Sequence, residues 1–194
     1  MNPENNSSRD GMLNKMKTPQ EVAKRLLVLI GVFQAATGRN KETLITLLKE
    51  NQLWSEVSEI EKKFLETSDE ESKFISLQYS WRAEAVYILL WSLNRFDSQE
   101  IPKNESNLDQ ISDLLKEDDF FKKIDIDNAR FRSVNEIYNK LDEIQKINWE
   151  IRDALINKKE SPNDYHPSII YEWHYALNWL TKPDEEWDYI TTDT

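Results

Sequence analysis

Apolar residues recur along most of this chain at three-and-four spacing, the period of helices with one buried face, and polar, capped stretches separate the segments. The first segment predicts a helix from Pro19 to about Thr37. Thr18-Pro19-Gln20-Glu21 reads as a capping box with proline at the first helical position, and Gly38 is placed to end the helix in a left-handed turn. Its middle is apolar on every side, so it belongs inside the protein. A second helix is expected over Lys41 to Asn51, with Leu44, Leu47 and Leu48 on one face. A third is expected over Ser58 to about Glu66, opened by the box Ser58-Glu59-Ile60-Glu61, with Ile60, Phe64 and Leu65 inward. A fourth, the most apolar, runs from about Ser80 to Phe96. After a polar loop from Asp97 to Ser106, a short helix is expected over Asn107 to Lys116.

A long helix then starts at Ser133, whose partner in a capping box is Glu136, and carries the stripe Val134, Ile137, Leu141, Ile144, Ile151 and Leu155. Asn148 occupies a stripe position that apolar residues fill elsewhere, which predicts a buried amide with a bonded partner. Past a loop over Lys158 to Tyr165, the last helix opens at His166-Pro167 and stops before Lys182-Pro183. No strand pattern is sustained, and three glycines are too few for the turns of a typical sheet protein. The fold class is all-α: a compact bundle of about seven helices forming one domain over residues 18–194, preceded by a flexible polar tail over 1–17.

Composition sharpens this picture. A chain of 194 residues, 39% apolar and 31% charged, is large enough for a sizeable core under a charged surface. Its net charge of −11 divides as +3 over residues 1–50 and −14 over the remainder. With no block of like positive charge, nucleic-acid binding is not expected, because that binding draws on many Lys and Arg contacts to phosphate. The absence of cysteine excludes disulfides, thiolate metal sites and a Cys nucleophile, and fits a reducing cytoplasm. Lys24-Arg25 followed by Leu26 to Phe33 and Ala35-Ala36 imitates a secretory signal. The capping box with its acidic Glu21 favours a mature helix instead, so the expected location is cytoplasmic. The same run is too short to span a bilayer, and no membrane association is expected.

Candidate chemistry gathers toward the end of the chain. In Tyr171-Glu172-Trp173-His174-Tyr175-Ala176-Leu177-Asn178-Trp179 and Trp187-Asp188-Tyr189-Ile190-Thr191-Thr192-Asp193-Thr194, hydrogen-bonding groups stand among large rings, where burial is costly unless each finds a partner. That points to a site or a buried polar network. Arg82 and Glu84 open the fourth helix at positions leading into its apolar stripes. Together Arg82, Glu84, Asp153, Glu172, His174 and Asn178 hold the donors and acceptors of a small polar pocket. Two histidines, His166 and His174, eight apart, do not make a zinc motif, and paired Glu-x-x-His motifs, phosphate-cradling glycine loops and a nucleophile elbow are missing. No metal or cofactor is expected. The C-terminal octet, with Trp187, Tyr189 and Ile190 among capping residues, is expected to dock on the helices, with Trp187 buried and Asp193 bonded.

Thr18 to Arg25, Ser80 to Ala85, Leu89-Leu90-Trp91, Trp149 to Asp153 and, most specifically, the two C-terminal runs quoted above resemble the bacterial family catalogued as domain of unknown function 4272. The resemblance spans nearly everything after the tail and implies a single helical domain. It carries over no activity, cofactor or partner. One departure is Trp173, where that family more often has Arg, so a charged role at this position does not transfer. The favoured reading is a cytoplasmic interaction or binding module for another protein or a peptide, resting on the lack of a catalytic motif, the acidic surface, and seven tryptophans and seven tyrosines able to act as anchors. The competing reading is a small-molecule site or enzyme using Arg82, Glu84, Asp153 and His174. Oligomeric state is left open.

Overall fold

The computed structural model describes residues 16–97, 101, 108–160 and 162–193, and among these there is no strand. Eight α-helices occur among them: α1 Pro19–Ala36, α2 Lys41–Glu50, α3 Glu59–Glu66, α4 Asp69–Ser80, α5 Arg82–Ser92, α6 Ser112–Lys116, α7 Val134–Ile156 and α8 Pro167–Leu180. The three expected capping boxes all form: Thr18 with Glu21, Ser58 with Glu61 and Ser133 with Glu136. Each satisfies backbone N–H groups that a helix start leaves without partners. Gly38 adopts φ +105° just past α1, a region that an L side chain rarely enters.

α1, α5 and α8 form the centre. The residues Ala83 to Ser92 of α5 are all buried, and this helix packs against both α1 and α8. α7 covers α8, α4 lies on α1, and α2 packs between α1 and α3. The stretch Leu26–Leu29 that imitates a signal sequence is fully inside. No helix among the described residues is long and apolar enough to cross a membrane.

Several details depart from the sequence pattern. α4 was not expected, because it lacks a buried apolar stripe: of its residues only Ser72 and Tyr79 are buried. Polar anchors and one ring contact hold it. Ser68 caps its start, Lys41 Nζ donates to Ser72 Oγ at 2.6 Å, and the Tyr79 ring stacks on Phe64 at 4.1 Å. The expected Ser80–Phe96 helix shortens to α5, and the segment expected over Asn107 to Lys116 divides into a 3-10 turn at Leu108–Gln110 and α6. Ile60 and Leu155, expected inward, are exposed. Of the tail, residues 1–15 lie outside the described residues; Met16 is buried and the Lys17 N–H donates to the Leu180 carbonyl at 2.9 Å. Of the expected loop over Asp97 to Ser106, only Asp97 and Ile101 are among the described residues.

Candidate functional site

α8 is buried on most of its circumference, including the polar residues Glu172 and His174. A charge placed there needs an internal partner. Glu172 finds Arg82 at the start of α5: Arg82 Nη1 donates to both carboxylate oxygens, at 2.8 and 3.1 Å. Desolvation raises the Glu172 carboxyl above its usual range despite the adjacent guanidinium. One residue along, Trp173 Nε1 donates to the buried carboxylate of Glu84 at 3.1 Å. A neutral indole thus serves Glu84 at the position where the resemblance leads one to expect Arg.

A second buried pair lies beside the first. Arg25, set in the apolar middle of α1, bonds Glu61 through Nη2 and the Glu56 carbonyl through Nη1 at 3.1 Å. Glu61 does two jobs: Oε1 takes Arg25, while Oε2 accepts from the Ser58 N–H in the α3 capping box. Between the two arginines stands Trp187, with the Arg25 guanidinium 4.2 Å and the Arg82 guanidinium 5.5 Å from its ring centre. Buried cations over an indole face gain quadrupole attraction that solvated ones would not.

Trp187 opens a single 3-10 turn, Trp187–Tyr189, and this turn and the residues after it are tied down by side chains of α7 and α8 and a backbone N–H of α3. Tyr175 Oη donates to the Trp187 carbonyl, and Asp188 Oδ2 accepts from the Ile60 N–H at 3.0 Å, which places a carboxylate at the electropositive start of α3. Asn178 Nδ2 donates to Thr191 O at 3.0 Å. Asn148, 6% exposed, donates to Thr192 O at 3.3 Å, and Arg152 Nη1 reaches both Thr192 O and Asp193 Oδ1 at 3.2 Å. The docked terminus, buried Trp187, bonded Asp193 and bonded Asn148 expected from the sequence are all present.

The six predicted site residues therefore do not share one pocket. Arg82 meets Glu172, and Glu84 meets Trp173, while Asn178 serves the C-terminal segment. Asp153 turns to its own helix end and accepts from Asn157 Nδ2 at 2.9 Å. His174 is 1% exposed, and its Nδ1 has no hydrogen-bond partner among the described residues. Burial, reinforced by Lys182 and Arg152, pushes its pKa down to about 4, so the ring is neutral at physiological pH. No group of three His, Asp or Glu side chains among the described residues could hold a metal ion. Sequence reasoning missed Arg25 and Glu61. The signal available was a charge entering the apolar run of a helix, Arg25, and an acid in a capping box, which reads as fully explained by its cap.

The open space lies next to this network. A cleft of about 550 Å³ is lined by Gln78 and Trp81 from the end of α4 and its connection to α5, by Asn148, Ile151, Arg152 and Leu155 from α7, and by Tyr171 and Glu172 from α8. The α7 residues are spaced i, i+3, i+4 and i+7, one face of the helix. A second cleft of about 490 Å³ shares Gln78 and Tyr171 with the first and continues past Tyr79, Arg82 and Tyr175. Three of the polar side chains along the first cleft are engaged within the protein, Glu172 with Arg82, Asn148 with Thr192 and Arg152 with Asp193. Its rim carries Leu155 in the open.

This arrangement defines an all-α protein closed at one end by its own C-terminal segment, with a groove beside the closure. The chain belongs to the family described as domain of unknown function DUF4272, whose model matches residues 8–190. No curated protein and no solved structure is similar to it at a significant level.

Proposed function

We propose that this chain is a protein-interaction module that seats a helical segment of its partner in the cleft between α4 and α7. One observation carries the reading: large apolar side chains stand in solvent on the two helices that wall that cleft, Phe74 at 92% and Leu77 at 71% exposed on α4, Leu155 at 66% and Ile156 at 79% at the end of α7. Neighbouring apolar side chains of this size, left uncovered, mark interaction surfaces. A groove walled by two helices and read at i, i+3, i+4 and i+7 suits an amphipathic helix. The enzyme reading gains less support. Glu84 and His174 are buried, and Arg82 and Glu172 neutralise each other, so little titratable chemistry is directed into open space. We place the module in the cytoplasm, in keeping with its lack of cysteine.

The test is site-specific cross-linking in the native host. A photoreactive residue replacing Leu155 is expected to give a discrete protein adduct, and one replacing the exposed Glu50 of α2 is expected to give none. The same adducts from both positions, or none from Leu155, would overturn the reading.

A further inference from the structure

The outer stripe of α4 and the cleft belong to one continuous face. Phe74, Leu77, Gln78 and Trp81 are spaced i, i+3, i+4 and i+7, so they line up along one side of the helix. Gln78 and Trp81 line the cleft, while Leu77, just before Gln78, and Phe74, one turn before it, project into solvent. Each chain therefore presents two apolar knobs and, directly beyond them on the same stripe, a hole of about 550 Å³. Knob and hole on one face are what a two-fold interface requires, since the same patch must complement itself.

Charge at the two ends of this face completes the match. Glu70 and Glu71 sit four and three residues before Phe74, at the outer end of the stripe. Lys158 and Lys159 follow Leu155 and Ile156 at the other end, where α7 stops. All four are exposed, and none of them forms an ion pair among the described residues. A face acidic at one end and basic at the other is complementary to its own copy turned through a two-fold axis. A partner of uniform charge would leave one end unmatched. The overall charge of −11 per chain opposes approach at long range, but that repulsion is screened beyond about 8 Å at physiological salt.

Resting on the interaction reading above, we infer that the partner is a second copy of this chain. Phe74 and Leu77 of each protomer fill the cleft of its mate, and Glu70 and Glu71 lie against the partner's Lys158 and Lys159. The unusual composition of α4 then has a reason: Phe74 and Leu77 point away from its own core because they belong to the neighbour's.

Sedimentation equilibrium of the full chain at tens of micromolar and physiological salt is expected to give twice the chain mass. Phe74→Ser with Leu77→Ser is expected to give folded monomers with the parent's helical content, whose melting, unlike the parent's, does not depend on protein concentration. Glu70→Lys with Glu71→Lys should weaken the dimer by about tenfold or more, and adding Lys158→Glu with Lys159→Glu to that variant should restore it. A monomeric parent chain overturns the inference, as does a dimer indifferent to the Phe74 and Leu77 changes or a charge reversal that the second reversal fails to rescue. If the parent is monomeric while the Leu155 cross-link still captures a different protein, the interaction reading stands and only the identity of the partner falls.

Discussion

Two regions of this molecule break the ordinary rule of apolar inside and polar outside, in opposite directions. Around Trp187 the chain buries Arg25, Glu61 and Glu172. Along α4 and the end of α7 it exposes Phe74, Leu77, Leu155 and Ile156. The charges of the first are paired within the chain. Arg25 meets Glu61, Arg82 meets Glu172, and the backbone of the C-terminal segment receives Asn148, Asn178, Arg152 and Tyr175. The second has no counterpart among the described residues. A buried ion that lost its partner would destabilise the fold at once, so evolution must satisfy it internally, whereas an exposed leucine costs little stability and can await an external partner.

That contrast fixes the expected size of each perturbation. Trp187→Ala should have the largest effect, about 3 to 5 kcal/mol in urea denaturation, because it leaves a cavity between two guanidiniums and loosens the segment bonded beyond it. A loss under about 1 kcal/mol would mean that the segment contributes little to the closure. Glu172→Leu should cost about 3 kcal/mol by leaving Arg82 buried without its counter-ion, and Arg82→Met in the same chain should recover much of that. Failure of the second change to help would show that the pair is valued for something other than mutual neutralisation.

Acid sensitivity is next in size. The His174 pKa is about 4 in the fold against 6.5 for an unperturbed imidazole, so between these values the unfolded chain binds more protons than the folded one. Its contribution is complete above pH 6.5 and is lost as pH falls toward 4. The total is on the order of 2 to 3 kcal/mol, most cleanly read between pH 6.5 and 5 before ordinary carboxylates titrate. His174→Leu should flatten that part of the stability profile relative to the parent chain, and an unchanged slope would place the acid sensitivity elsewhere. Asn148→Ala should cost about 1 to 3 kcal/mol by removing one of the two donors to Thr192 O, the buried one. At the bottom of the scale, Phe74→Ser with Leu77→Ser should shift stability of the isolated chain by no more than about 0.5 kcal/mol. A large loss there would show that the α4 stripe serves its own fold.

Much of the architecture was legible because it depends on neighbours along the chain. Capping boxes join residues three apart, and Gly38 acts on its own backbone, so the starts of α1, α3 and α7 and the stop of α1 follow from local chemistry. Asn148 betrayed itself by interrupting an apolar stripe. α4 stayed hidden for the converse reason: its stripe faces away from the core, and the contacts that hold it, Lys41 to Ser72 and Tyr79 on Phe64, join residues that periodicity cannot relate.

The site divides along the same line. Residue type and placement were enough to mark Arg82, Glu172 and the C-terminal run as groups that must find partners, because burying them unpaired is too costly. Which partner each takes is a matter of three-dimensional proximity: Glu172 sits 90 positions from Arg82, and Trp173 is 89 from Glu84. The tertiary structure alone decided that Asp153 stays with its own helix end, that Arg25 and Glu61 join the network, and that an open cleft runs past Glu172 and Arg152. The sequence by itself determined the helices other than α4, most of the core and the need for a polar network, since propensity, periodicity and desolvation act residue by residue. The pairing and the cleft came only with packing, because they depend on which helix faces fold against one another.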